Sequence, residues 1–95
     1  MNQLEGRLAK IEKAVNNFGG LVYEFRVENA LSLQDMAEVV SLSPSYLWRI
    51  ENARRKPDLD VRVRILTSGM NWSTVDIHLY LEQIIARESA NIEPC

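Results

Sequence analysis

Apolar residues recur along most of this chain at helical spacing. Leu4, Leu8, Ile11, Val15 and Phe18 follow one another at intervals of four, three, four and three, a heptad seam flanked by Glu5, Arg7, Lys10, Glu12 and Lys13. The pattern predicts an amphipathic helix over 3–18, with Gly19-Gly20 ending or hinging it. A helix over 21–29 turns Leu21, Val22, Phe25 and Val27 inward. Ser32 and Asp35 stand three apart like a capping box and open the next helix, with Met36, Ala37 and Val40 on its apolar stripe. Ser41 and Leu42 make a turn. Ser43 is a good N-cap and Pro44 suits the first helical position of a further helix, which carries Leu47 and Ile50 inward. Pro57 prevents easy continuation. A helix over 59–68 offers Leu59, Val61, Val63, Ile65 and Leu66 to the core, and Gly69 is expected to end it. Met70 and Trp72 are expected to plug the base of the core. Ser73 and Asp76 form another capping box, opening a helix over 74–89 with Val75, Ile77, Leu81, Ile84 and Ile85 apolar.

The informative stretch is 28–57, two short helices joined by a tight turn with a basic exit. Such a unit is a helix-turn-helix, which lays its second helix in the major groove of DNA. Met36, Val40, Leu42, Leu47 and Ile50 would pin the two helices together. Ala37 is small where they approach, and a large side chain there would cost roughly 1–3 kcal/mol through overpacking. With Leu47 and Ile50 inward, Ser45, Tyr46, Trp48, Arg49 and Asn52 take the remaining surface. The start of a recognition helix faces base edges, which makes Ser45, Tyr46 and Arg49 the base-reading candidates. Arg49 has the fork to bond guanine O6 and N7 together, worth about 1–3 kcal/mol of discrimination. Trp48 points away from the core direction. A solvated indole invites a cover, either the DNA sugar-phosphate or the N-terminal helix of either chain.

Residues 21–75 resemble the repressor-type helix-turn-helix family (XRE family) that includes phage lambda repressor, Cro and many small bacterial regulators. The likeness is strongest over Ser-Tyr-Leu-Trp-Arg-Ile-Glu-Asn at 45–52, followed by Arg54, Arg55, Lys56 and Pro57. It implies an all-α, five-helix lambda-repressor-like domain, here with an additional N-terminal amphipathic helix, binding operator DNA as a dimer. It places Arg54, Arg55 and Lys56 on backbone phosphate, where they position rather than specify. Gln34, Ser43, Trp48 and Asn52 join that backbone set. Three residues depart from the family pattern. Ser41 and Ala53 stand where glycine is usual, so left-handed backbone there carries a cost. Leu33 stands where glutamine often meets a phosphate, and Gln34 is its neighbour.

At 95 residues the chain is read as one domain with appended helices: 1–20 as an amphipathic helix and hinge, 21–75 as the core, and 76–95 as a last helix and tail. An isolated helix of about 15 residues is marginal in water, so the stripe of Leu4, Leu8, Ile11, Val15 and Phe18 must be buried. Pairing with a second copy is the expectation, and folding back on the same domain is the alternative.

The net charge of −2 is not the basic balance of many DNA binders, but the distribution is uneven. Tyr46 to Leu66 carries six basic residues against three acids, while Thr74 to Cys95 carries four acids against Arg87. A chain polarised in this way can orient on a polyanion despite its total. The single cysteine, Cys95, has no internal disulfide partner, and no Cys/His spacing suggests a metal. His78 stands alone, as a surface or half-buried side chain would. No apolar run is long enough to span a membrane and no signal-like stretch opens the chain, so a cytoplasmic, non-membrane protein is expected. No paired carboxylates, nucleophile elbow or phosphate loop points to catalysis, and neither an enzyme nor a cofactor is expected. A different class of reading keeps the helix-turn-helix as a scaffold for protein contacts, an adaptor or antirepressor, with a regulatory protein as partner.

Overall fold

A computed structural model describes the backbone of residues 3–91 and the side chains of 6–88. Over that span all regular structure is helical: α1 (Gln3–Asn16), α2 (Phe18–Glu28), α3 (Leu33–Val40), α4 (Pro44–Glu51), α5 (Leu59–Arg64, running into a π turn at Ile65–Gly69) and α6 (Thr74–Asn91). The all-α expectation holds.

The first helix ends earlier than its heptad suggests. Asn17 takes φ −150° and ψ 67°, and its side chain accepts a hydrogen bond from the backbone N–H of Gly20. That cap starts α2 at Phe18, so Gly19-Gly20 lies in the first turn of α2 and is not a hinge.

The seam of α1 is largely used inside the chain. Ile11 is 3% and Phe18 8% exposed, both in the one hydrophobic core, and Val15 packs against that core. This corrects the expectation of a partner-facing seam at Ile11 and Phe18, because a side chain buried in its own fold cannot face a second copy. Leu8 remains half exposed. The side chain of Leu4 lies outside the described residues, as does Cys95.

Two cations fasten α1 to the start of α6. Lys10 Nζ donates to Asp76 Oδ2 at 2.7 Å, and Arg7 Nε stands 2.8 Å from Oδ1. Ser73 Oγ accepts from the Asp76 N–H, as a cap requires. The Asp76 carboxylate, however, turns to the α1 cations, so the expected capping box at Ser73 is half made.

Tyr80 is fully buried and organises the base of the core. Trp72 meets its ring edge-on at 6.2 Å, and Phe18 lies at 6.4 Å. Met70 and Trp72 are buried as expected, whereas Leu59, Val75 and Ile85 are exposed. Leu59 sits on the first turn of α5, ahead of the turns that reach the core. The helix after it widens: Met70 N–H donates to Ile65 O, a spacing of five residues. Gly69 lies inside that turn, close against Met36 and Val40, and the left-handed residue that terminates it is Asn71 (φ 59°).

Candidate nucleic-acid interface

The helix-turn-helix geometry follows from local signals. Ser32 Oγ accepts from the Asp35 N–H, and the Asp35 carboxylate accepts from the Ser32 N–H, each at 3.0 Å. The Ser32 backbone bond holds the Asp35 carboxyl below its ordinary range. At the other end of α3, Ser41 adopts left-handed backbone (φ 58°, ψ 45°), and Leu42 N–H donates to Ala37 O at 3.0 Å. Ser43 Oγ then accepts from the Tyr46 N–H at 3.1 Å, and Pro44 begins α4. Met36, Ala37, Val40, Leu47 and Ile50 are all buried, which fixes α4 against α3.

With Leu47 and Ile50 inward, Ser45, Trp48, Arg49 and Asn52 are exposed on the opposite side of α4. Trp48 keeps 44% of its surface accessible. Tyr46 is half-buried against the core, and the Arg55 guanidinium lies 5.8 Å from its ring centre. Gln34 is exposed in the first turn of α3. Ser43 and Asn52 have structural duties as well as surface positions. The Ser43 hydroxyl caps α4, and one Asn52 side-chain N–H donates to Trp48 O at 2.9 Å.

The exit from α4 ties the reader candidate to the phosphate candidates. Ala53 is left-handed (φ 56°), and the N–H groups of Arg54 and Arg55 both donate to Arg49 O, at 2.8 and 3.3 Å. Arg54, Arg55 and Lys56 therefore leave the helix from one fixed turn, and all are exposed.

Glu51 is withdrawn from this surface. Arg26 Nε donates to its Oε2 at 2.8 Å and Arg26 Nη2 to its Oε1 at 3.0 Å. The hydrogen bond to Glu51 raises the Arg26 pKa still further above the ordinary range. Two further cations of the basic stretch turn inward: Arg62 donates to Pro57 O and to the Tyr80 hydroxyl, and Arg64 to Val40 O. Within 46–66 the exposed cations are thus Arg49, Arg54, Arg55 and Lys56.

A family model described as a helix-turn-helix domain matches residues 17–67, more than half of the chain. The chain belongs to the helix-turn-helix domain family. It carries that family's DNA-binding unit. No curated protein and no solved structure matches it. The matched span of the helix-turn-helix domain opens at Asn17, the cap of α2, and closes inside the π turn, leaving α1 and α6 beyond it. No helix among the described residues is long and apolar enough to cross a membrane, and those residues form no group of His, Cys, Asp and Glu fit to hold a metal.

One residue that positions the interface was read differently from sequence. A Cβ on Gly19 would stand 2.2 Å from Ile50 O, so the start of α2 rests directly on the backbone of α4. The contact joins residues 31 apart, and only the presence of glycine in a first helical turn hints at it.

Proposed function

We propose that this chain is a sequence-specific DNA-binding transcriptional regulator, a repressor, that binds a two-fold operator as a homodimer with α4 in the major groove. The observation that carries this reading is the composition of the surface opposite Leu47 and Ile50. Ser45 and Arg49 are exposed there, Arg54 to Lys56 emerge one turn on, and Glu51 is neutralised beneath. Arg49 pairs with guanine O6 and N7, Ser45 bonds a neighbouring base, and Tyr46 offers a ring edge to a thymine methyl. Arg54, Arg55, Lys56 and Gln34 hold phosphates and set the register, with Ser43, Trp48 and Asn52 at the groove's edge.

Two copies with half-sites about one helical turn apart, ~34 Å, satisfy the symmetry such operators share. Among the described residues, Leu8 on α1 and Ile85 on α6 are exposed apolar side chains available for pairing, whereas Ile11 and Phe18 are buried. Selection of binding sites from random duplex DNA tests the reading. Enrichment of a two-fold sequence supports it. Absence of any enriched sequence favours the adaptor reading, for which the half-exposed Trp48 is the supporting observation.

A further inference from the structure

A cleft of about 590 Å³ opens beside the exit of α4, where the α1–α2 junction, the 53–59 segment and α6 meet. Its apolar wall includes Val15, Phe18, Leu59 and Ile84. Its charged lining is Arg55, Lys56, Arg62 and Arg87 against one carboxylate, Glu88. Arg62 is held in place by Pro57 O and the Tyr80 hydroxyl, with its guanidinium 5.7 Å from the Phe18 ring centre. Arg55, Lys56 and Arg87 are exposed at the rim.

We propose that this cleft docks an acidic, amphipathic peptide segment of a regulatory protein, and that the docked segment competes with DNA for Arg55 and Lys56. The charge complementarity selects an acidic occupant. The apolar wall selects one that also carries leucine- or phenylalanine-like side chains, which a phosphodiester backbone lacks. Arg55 belongs to both surfaces, lying over Tyr46 of the recognition helix while lining the cleft. An acidic segment seated there removes two phosphate contacts and lowers affinity for all DNA sequences alike. The competition rests on the DNA-binding reading above, whereas occupation of the cleft does not.

The test is selection from a random displayed-peptide library with the full chain as bait. The expected result is enrichment of peptides mixing Asp or Glu with large apolar residues. These should bind Arg87→Glu about tenfold more weakly than the unaltered chain, because a rim charge is reversed. Arg87 is not among the residues assigned to DNA, and an unchanged helical circular-dichroism spectrum and melting temperature of Arg87→Glu should show that the variant is folded. An enriched peptide should displace labelled duplex DNA. Absence of acidic-apolar enrichment, or enriched peptides that bind Arg87→Glu equally well, overturns the docking site. A ternary complex of peptide, protein and DNA overturns the competition. If Arg87→Glu instead turns a dimer into a monomer by light scattering, with no peptide enriched, a second copy fills the cleft and the proposal fails. A chain that selects no DNA sequence sinks the DNA reading alone, and the peptide arm still decides the cleft.

Discussion

Arg26 grips both oxygens of Glu51, at 2.8 and 3.0 Å, with the two side chains 15% and 2% exposed. The pair joins α2 to the last turn of α4 and withdraws the Glu51 carboxylate from the exposed face of that helix. Arg26 also donates to Leu31 O, fixing the loop before α3. Removing Glu51 leaves Arg26 partly buried without its carboxylate partner. Glu51→Ala is therefore expected to lower stability by about 1.5–3 kcal/mol in urea unfolding, the range for a hydrogen bond to a charged group. Replacing both residues with apolar ones of similar size should recover much of that loss. An equal loss in the double variant would show that packing, and not the pair, holds the two helices.

The junction of α1 and α6 should be sensitive to acid. Burial opposes ionisation of Asp76, but the hydrogen bond from Lys10 and the charges of Lys10 and Arg7 outweigh it, and its pKa lies below the ordinary carboxylate value. A carboxyl depressed in the folded state adds stability that is complete above its unfolded pKa of about 3.9 and is lost as pH falls through the folded value. Thermal unfolding between neutral pH and strongly acidic pH should show this loss. Asp76→Asn should start less stable at pH 7 and show a shallower acid limb. An unchanged limb would assign the acid sensitivity to other groups.

Gly19 permits the close seat of α2 on α4. Alanine ordinarily strengthens a helix over glycine by roughly 0.5–1 kcal/mol. Here its Cβ would stand 2.2 Å from a backbone oxygen that cannot swing aside. Gly19→Ala should lower stability by about 1–3 kcal/mol, and weaken DNA binding by tilting α4. Gain of stability on calorimetry would contradict the contact.

Ala53 shows the opposite case. It holds φ 56°, a left-handed backbone that disfavours a Cβ by about 1–2 kcal/mol, while glycine loses about 0.4–1 kcal/mol more entropy on folding. Ala53→Gly should therefore raise stability by a few tenths to about 1 kcal/mol in urea unfolding. A loss of stability would mean that the Ala53 methyl packs usefully.

The helix-turn-helix was legible because its signals are local. Ser32 with Asp35, Ser43 before Pro44, and the three-residue step from Leu47 to Ile50 each speak for a few neighbouring positions, and each stands where it was placed. What escaped is non-local. The heptad through Phe18 could not reveal that Asn17 would cap a new helix, nor that Ile11 would be buried in the chain's own core. Tyr80 reads as an ordinary half-polar residue until Trp72 and Phe18 are brought to it. Arg26 and Glu51 lie 25 residues apart, and they meet only because α2 packs on α4. At the interface the exposed positions of α4 were readable, whereas the inward turn of Arg62 and Arg64 depends on the acceptors Pro57 O and Val40 O.

The central claim, that α4 reads base sequence while its exit holds phosphate, is tested most directly by comparing affinity for a selected operator with affinity for random duplex DNA in Arg49→Ala and Arg55→Ala. Arg49→Ala should cut the ratio of specific to random affinity by the ~1–3 kcal/mol of a bidentate base contact, with random-sequence binding nearly unchanged. Arg55→Ala should weaken both affinities together and flatten the salt dependence by about one phosphate contact. An Arg49→Ala protein that keeps its full preference for the operator would contradict the account.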